Sequence, residues 1–403
     1  MHWLLEVITA RRIDVLVVAG DIFDTSTPGT GAQRVYYSFL RSLLATPCRH
    51  VVIVAGNHDS SSFLSAPGAI LHMLGVHVIG SVSQEDAPDA QDGTLPPEVL
   101  VLDFPAEGGL ERSLVCCAVP YLRERDIRLA EAGESMAEKD ARALEGIRRH
   151  YARLGRAAQA RRLELGGATP LVVTGHLFAA GGRVVDGDGV RELAVGSLVA
   201  VPADVFPPEA DYVALGHLHS PQIVAGAEHI RYSGAPLPFG FAEEEKGICL
   251  VTFAGRTPAI EKVPVPVFQR LATVTGGLPE LEAGLLALVA SGEPVWAEAT
   301  YVGKELVGNL EEILNKAVEG SQVELLRIRN SSLVARTLDE EQASLKDMGP
   351  QEVFARCLVD NQVPEEQWPL LTGLHDLVLA EVLEGKGELA PQEDWPHTGA
   401  GRV

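Results

Sequence analysis

The sequence is poor in cysteine, in basic residues and in long apolar runs. Its five cysteines are odd in number and show no Cys-x-x-Cys spacing, which argues against a disulfide framework and a thiolate zinc site and predicts a reducing compartment. Lysine and arginine number 33 against 55 acidic residues, for a net charge of -22, so the surface as a whole should repel nucleic acid and anionic membranes. A polyanionic substrate would therefore need a local positive site, such as bound metal ions.

Membrane-directed segments are also missing from the sequence pattern. No run approaches the roughly 18 apolar residues of a membrane span, and the start MHWLLEVITARR lacks the basic-then-apolar order of a signal peptide. We therefore expect a soluble cytoplasmic protein with no membrane partner. The 403 residues, 46% of them hydrophobic, suit two or three domains with ample material for a core.

The first two thirds of the chain alternate apolar runs with amphipathic stretches. Four runs rich in β-branched residues, IDVLVVAGD, HVVIVAGNHD, PLVVTGH and DYVALGH, are typical of strands buried on both faces. Amphipathic stretches such as Gln33 to Leu44 lie between them. This alternation predicts an α/β fold of layered sheets and helices.

The pattern changes after about Val267. Strand-like LATVTG, PVWAEATYV and QVELLRIRN are separated by helix-like LPELEAGLLALVA and LVGNLEEILNKAVEG. We expect a first domain over 1–265, a small α/β domain over 266–335, an acidic helical region over 336–384 and a disordered tail over 385–403. The apolar faces of the helical region could pack on the body of the protein or dock a partner helix.

One segment, IRRHYARLGRAAQARR at 147–162, holds six arginines and no acid. Ile147, Tyr151, Leu154 and Ala158 fall on one face of a helix at this spacing. The arginines on the other faces allow two interpretations, a solvated helix surface or a site for a phosphate backbone.

Each of the four strand-like runs ends in glycine, followed at once by candidate metal ligands. The chemistry-bearing residues at these junctions are Asp21, Asn57, His58, Asp59, His176, His217 and His219. Glycine permits a sharp turn and a close approach of the backbone. Because active sites of open α/β sheets lie at the carboxyl ends of the strands, the pattern predicts that these side chains gather at the carboxyl edge of one sheet.

The donor types narrow the chemistry. Asparagine, aspartate and several histidines, with no cysteine, favour manganese, iron or zinc. A carboxylate such as Asp21 can bridge two ions roughly 3.5–4 Å apart, which polarises a phosphate and lowers the pKa of a bridging water. The sequence therefore predicts phosphoester hydrolysis.

The order GDIFD, GNHD, GH and GHLH resembles the calcineurin-like metallophosphoesterases. The longer stretches VAGDIFDTSTPG, VIVAGNHDSSSFL, LGHLHSPQ and YSGAPLPFGFAEEEKG resemble the bacterial SbcD family of DNA repair nuclease subunits. The resemblance continues to DMGPQEVFARCL and so covers nearly the whole chain. It implies a layered sandwich of two sheets flanked by helices, with a small α/β capping domain and a helical carboxyl-terminal region.

The same resemblance implies two divalent metal ions, with Mn²⁺ the first expectation and Mg²⁺, Fe²⁺ or Zn²⁺ as alternatives. Asp21 would be the bridging ligand. Asn57, His176 and His217 would complete one metal site, and His219 would reach the other.

The resemblance also implies how the reaction would proceed. His58 would stabilise or protonate the leaving alkoxide, with Asp59 as its orienting partner, while Asp24 would lie behind the ligands. The expected activity is exonucleolytic on duplex ends and endonucleolytic on single strands or hairpins. The expected partners are DNA and an SbcC-type ATPase, which would dock on 336–384. The polypeptide would form a homodimer within a heterotetramer.

One departure from the family concerns its first metal-binding motif, an Asp-x-His at the end of a strand. None of the 12 histidines here has an aspartate two positions before it, and only 12 residues precede the strand at Ile13. We therefore expect an amino-terminal truncation, one ion bound much better than two, and impaired hydrolysis. The alternatives are a phosphoesterase acting on nucleotides and a scaffold without catalysis.

Overall fold

The structure is a computed structural model that describes residues 1–82, 95–107, 110–127, 135–180, 200–241, 245–303, 305 and 307–330, with scattered positions between 354 and 375. The chain divides into two compact units, 1–272 and 273–403. The domain boundary expected after 265 stays a prediction. The helical region expected over 336–384, apart from those scattered positions, and the tail over 385–403 lie outside the described residues.

The first unit contains a three-stranded parallel sheet. Its strands, in spatial order, are β1 (Val15–Ala19), β2 (His50–Val54) and β3 (Val76–Ile79). Its helices are α1 (His2–Ala10), α2 (Thr30–Leu43), α3 (Ser61–Ser65) and α4 (Gly68–Met73). Apolar side chains from these helices, including Ile8 and Leu43, pack with Val51 and Ile53 of β2, so one face of this sheet is covered by helices.

A six-stranded mixed sheet forms the rest of the core of this unit. Its strands, in chain order, are β4 (Val99–Glu107), β5 (Leu110–Cys117), β6 (Leu171–His176), β7 (Tyr212–Gly216), β8 (Gln222–Val224) and β9 (Ala227–Tyr232). The spatial order is β4-β5-β6-β7-β9-β8. The four inner strands are parallel to one another, and each outer strand is antiparallel to its neighbour.

The helices of this half are α5 (Glu124–Ile127) and the long α6 (Met136–Glu164), with a short 3₁₀ turn at Ala203–Val205. A capping box begins α6, in which Ser135 Oγ accepts from the Glu138 amide and the Glu138 carboxylate accepts from the Ser135 amide. This satisfies backbone donors that the first turn of the helix leaves without a partner.

The apolar face predicted for the arginine-rich segment is confirmed, because Ile147, Tyr151, Leu154 and Ala158 are all fully buried in the core of the six-stranded sheet. At least four of the six arginines form ion pairs within the chain: Arg148 with Asp204, Arg153 with Glu98, Arg161 with Glu164 and Arg162 with Asp211. These pairs favour a role for the segment in the fold over phosphate-backbone binding.

The two sheets pack face to face. Val52 and Val54 of β2 share a buried cluster with Leu102, Val172 and Tyr212 of the six-stranded sheet. The predicted layered sandwich of two sheets flanked by helices is therefore confirmed. The expectation that all four ligand-bearing strand ends lie on one sheet is wrong, since β1 and β2 belong to one sheet and β6 and β7 to the other. A continuous apolar run is buried on both faces in either arrangement, so the pattern does not distinguish them.

A hairpin of β10 (Gly247–Ala254) and β11 (Thr257–Pro264) completes the first unit. A further sheet contains β12 (Arg270–Gly276), β13 (Val295–Tyr301) and β14 (Val323–Asn330), with α7 (Leu278–Ala290) and α8 (Leu310–Val318), and apart from the first residues of β12 it belongs to the second unit. These are the strands and helices predicted after Val267. Across the described ranges, every helix is too short or too polar to cross a membrane.

Candidate metal centre

The ends of strands from both sheets meet at one place. Asp21 follows β1, His176 ends β6, and His217 follows β7 directly. One donor atom from each of these three residues lies within 4.8 Å of the other two. Within the described ranges, no other group of three or more His, Cys, Asp or Glu residues meets this condition.

The His176 imidazole shows why a cation fits here. Its Nδ1 lies 2.8 Å from the carbonyl oxygen of Ala19, so the ring proton is assigned to Nδ1 and Nε2 carries a lone pair. That Nε2 lies 3.2 Å from Asp21 Oδ2 and 3.0 Å from Asn57 Oδ1. Three electron-rich atoms at these distances repel one another unless a proton or a metal ion lies among them. The donor set of carboxylate, amide oxygen and imidazole suits a divalent ion.

Electrostatics keep Asp21 charged. Burial by itself would raise the pKa of Asp21, but a protonated His176 imidazole, which donates from Nε2 when no metal ion lies between the two side chains, outweighs burial together with the amide and ring of His58 and holds this pKa below its ordinary value. The His58 amide donates to Asp21 Oδ1 at 3.1 Å. A carboxylate that stays ionised is the state that metal binding requires.

The backbone is strained at two of the ligands. Asp21 has a φ of 51° and His217 a φ of 102°, both in the left-handed region, which costs about 1–3 kcal/mol per residue. Gly56 allows the loop after β2 to approach Asp21, since a Cβ at Gly56 would lie 2.1 Å from Asp21 Oδ1 and 2.3 Å from its backbone nitrogen. Local strain of this kind is tolerated where it positions functional groups.

Asp59 ties two of the loops together. Its buried carboxylate accepts hydrogen bonds from the amides of Gly56, Ile22 and Phe23, at 2.8, 3.0 and 3.0 Å. Burial raises the pKa of Asp59, although these three hydrogen bonds oppose the rise. The side chain thus joins the loop after β1 to the loop after β2.

The orientation of His58 differs from the expectation. Its Nδ1 lies 2.9 Å from the carbonyl oxygen of Asp24, and the Asp24 carboxylate is 4.0 Å away. Among the contacts of the described residues, no hydrogen bond joins the His58 ring to Asp59, because the Asp59 oxygens face backbone amides. In this structure the His58 ring is oriented by Asp24 rather than by Asp59, and the catalytic roles expected of His58 and Asp59 stay predictions.

His219 lies outside the three-residue group. Leu218, which separates it from His217, is buried in the core of the six-stranded sheet. The His219 carbonyl accepts from the Ala235 amide at 3.0 Å and from Lys246 Nζ at 2.9 Å. The structure brings Asp21, Asn57, His176 and His217 together, while the place of His219 in a second metal site and the division of the ligands between two sites stay predictions.

Four residues near the site were not singled out from the sequence. The Tyr121 ring lies 6.2 Å from that of His176, and Arg123 donates to the Asp59 carbonyl at 3.4 Å. Lys246 and Phe239 contact His219. All four come from segments that follow β5 or β9, and these strands end at the same edge of the sheet as β6 and β7. Their position near the ligands depends on the order of the strands in the sheet, which the sequence pattern does not determine.

Comparison with known proteins agrees with this geometry. A family model described as calcineurin-like phosphoesterase matches residues 1–221, and one described as type 5 capsule protein repressor C-terminal domain matches residues 267–362. The chain is 33% identical over 395 residues to the SbcD subunit of nuclease SbcCD from Escherichia coli (strain K12), covering 96% of this chain and 93% of that one. The chain belongs to the SbcD family of calcineurin-like phosphoesterases.

Two further SbcD-family relatives match over shorter parts of the chain. The protein from Rhodobacter capsulatus is 36% identical over 296 residues, which are 72% of this chain and 69% of that one. The protein from Bacillus subtilis is 32% identical over 247 residues, 60% of this chain and 56% of that one. Membership of the SbcD family implies dependence on a divalent metal, which the donors around His176 fit.

Proposed function

We propose that this chain is the nuclease subunit of an SbcCD-like complex and that it hydrolyses phosphodiester bonds of DNA with Mn²⁺ as its metal. The activity would be exonucleolytic on double strands and endonucleolytic on single strands and hairpins, in DNA repair and recombination. The observation that carries the proposal is the convergence of Asp21, Asn57, His176 and His217 where the two sheets meet. The names of the relatives as nuclease subunits support the same substrate class.

The residues of the metal centre have different roles in the proposed hydrolysis. Bound divalent metal would polarise the phosphate and supply a hydroxide nucleophile at neutral pH. Asp21, His176 and His217 would hold the ion together with the Asn57 amide oxygen. His58, protonated on both ring nitrogens, would donate its Nε2 proton to the leaving oxygen and become neutral, while its Nδ1–H stays on the Asp24 carbonyl oxygen and fixes the ring.

The partner proposed is an SbcC-type ATPase, since the relatives are named as one subunit of the nuclease SbcCD. A chain with a net charge of -22 gains from a second subunit that grips DNA. We further propose a homodimer within a heterotetramer, docking of the ATPase on 336–384, and a cytoplasmic location. The free thiols of Cys48, Cys116, Cys117 and Cys249 support a reducing compartment.

A second candidate is a catalytically impaired scaffold subunit with one metal site. It is favoured by the lack of an Asp-x-His motif in this sequence. This candidate predicts one bound ion per chain and little hydrolysis.

The test uses the full chain, freed of metal and titrated with Mn²⁺ by calorimetry. Cleavage of a labelled duplex and a hairpin is compared with hydrolysis of bis(p-nitrophenyl) phosphate. Asp21→Asn removes the ligand charge, and His229→Gln, at an exposed histidine, is the matched control.

Three outcomes separate the candidates. DNA cleavage that is lost in Asp21→Asn and kept in His229→Gln supports the nuclease. Hydrolysis of the small diester without DNA cleavage indicates a phosphoesterase of another specificity. Binding of one ion with no hydrolysis of either substrate indicates the scaffold.

A further inference from the structure

We propose that Phe239 is a stacking platform for an unpaired nucleobase beside the metal centre, with Leu237 extending the same apolar surface. This inference rests on the proposed function, because it assigns a role in binding the nucleic acid substrate to a residue outside the metal ligands. The ligand is a nucleobase of any type, held next to the phosphate that is cleaved.

The topology places the loop over 233–241 at the metal centre. The preceding strand, β9, pairs in parallel with β7, and Leu215 is in register with Tyr232. Parallel neighbours end at the same edge of a sheet, so the chain after Tyr232 leaves the sheet beside His217 and His219. An aromatic residue in this loop therefore lies near His217 and His219, because β7 and β9 end at the same edge of the sheet.

The base of the loop is fastened to His219. Gly234 has a φ of +76°, and a Cβ there would lie 2.6 Å from the His219 carbonyl oxygen. That oxygen accepts from the Ala235 amide at 3.0 Å and from the buried Lys246 at 2.9 Å. The loop thus has a defined position relative to the metal centre.

The tip of the loop is stiff and apolar. Pro236 and Pro238 flank Leu237, and each proline ring fixes its own φ. Leu237 is 49% exposed and Phe239 is 66% exposed, although both are large apolar side chains. The Phe239 ring lies 5.0 Å from the His219 ring, with the two planes tilted by 37°. Stiff, exposed apolar groups beside a functional centre mark a binding surface.

The part of the substrate that binds Phe239 follows from the chemistry of nucleic acids. A phosphate gains nothing from an uncharged ring, whereas every base has a flat π-face that stacks on an aromatic side chain with little dependence on sequence. Bases inside a duplex already stack on their neighbours, so the platform takes an unpaired base from a single strand, a hairpin loop or a frayed end. Because the Phe239 ring contacts the His219 ring, the base on this platform would belong to a nucleotide close to the metal centre.

The test compares Phe239→Ala, Phe239→Trp and the wild-type full chain with Mn²⁺. Phe268→Ala is the matched control, because Phe268 lies in the same unit and is 62% exposed. The probe is a single-stranded oligonucleotide with phosphorothioate linkages and 2-aminopurine, whose fluorescence falls on stacking. We expect Phe239→Ala to bind on the order of tenfold more weakly and to lose the fluorescence change, and Phe239→Trp to keep both.

A second oligonucleotide carries abasic residues in place of the bases. If a base is the contact, Phe239→Ala and the wild type bind this probe equally. An equal loss of affinity on both probes overturns the proposal, because the contact is then not with a base. Loss of binding to the ATPase partner, with unchanged binding of the oligonucleotides, also overturns it and makes Phe239 a partner contact.

Failure of this inference differs from failure of the proposed function. If the wild type binds the base-containing probe and Phe239→Ala matches both it and Phe268→Ala, the platform is wrong and the nuclease proposal stands. If the wild type neither binds nor cleaves DNA, both are wrong.

Discussion

Nε2 of His176 lies 3.2 Å from Oδ2 of Asp21, and the two atoms come from different sheets. A metal ion held by both should fasten the sheets together. We expect Mn²⁺ at about 100 times its Kd to add about 2.7 kcal/mol to the free energy of unfolding. Thermal unfolding with and without Mn²⁺ measures this gain, which Asp21→Asn should abolish and His229→Gln should retain. An equal gain in Asp21→Asn would place the ion elsewhere.

His58→Gln should separate binding from turnover. If His58 protonates the leaving oxygen, its loss should slow DNA cleavage by about 10²- to 10⁴-fold while calorimetry shows unchanged Mn²⁺ affinity. The loss should be much smaller for bis(p-nitrophenyl) phosphate, because p-nitrophenolate leaves without a proton. The same loss on both substrates would argue against a general acid.

Gly56→Ala should damage the metal centre through backbone contact. The added Cβ would lie 2.1 Å from Asp21 Oδ1, so the loop after β2 must shift away from Asp21 and Mn²⁺ affinity should fall at least tenfold, which is about 1.4 kcal/mol. Gly31→Ala in α2 is the control, since nothing lies within 4 Å of its added Cβ. Calorimetric titration of both variants tests the claim, and undiminished affinity in Gly56→Ala would refute it.

His77 should make stability sensitive to mild acid. Burial, followed by the charges of His50 and His72, lowers the pKa of His77 from its ordinary 6.5 to about 4, and its Nε2 lies 3.2 Å from His50 Nδ1. Between pH 6.5 and about pH 4, His77 is protonated in the unfolded chain but stays neutral in the folded chain. The free energy of unfolding therefore has its full value, as far as His77 is concerned, above pH 6.5, and it decreases as the pH falls toward about 4.

The measurement for His77 is thermal unfolding at pH 7.5 and pH 5. The wild type should lose more stability between these two values than His77→Gln does. His229→Gln, at an exposed position, should behave like the wild type. If His77→Gln loses as much as the wild type, the buried imidazole is not responsible.

Arg162 and its neighbour Arg161 offer a matched pair for stability. Arg162 is 3.1 Å from Asp211 and both side chains are buried, whereas Arg161 pairs with Glu164 in solvent. Arg162→Ala leaves a buried carboxylate with one partner fewer and should cost about 3 kcal/mol, while Arg161→Ala should cost less than about 1 kcal/mol. Urea unfolding of both variants measures the difference, and equal costs would contradict it.

The sequence predicted the ligand-bearing junctions because each combines a buried strand, a glycine and a metal-binding side chain. It did not predict that Asp21 and Asn57 follow strands of one sheet while His176 and His217 belong to the other, since burial on both faces looks the same in both cases. The pairing of His58 with Asp24 depends on side-chain directions in two loops. Phe239 lies in the stretch YSGAPLPFGFAEEEKG that carries the family resemblance, but its place beside the metal ligands depends on the long-range pairing of β9 with β7, which no local pattern shows.

The division of the ligands between two sheets also orders the assembly of the protein during synthesis. The three strands of the parallel sheet and its four helices, as the structure describes them, all lie within residues 1–82 of this sequence, so this layer can form early as the chain leaves the ribosome. The metal centre around Asp21 and Asn57 cannot form until β6 and β7 are synthesised, and these strands come much later in the chain. Because contacts over such long separations form slowly, the ion can be captured only after the two layers have docked.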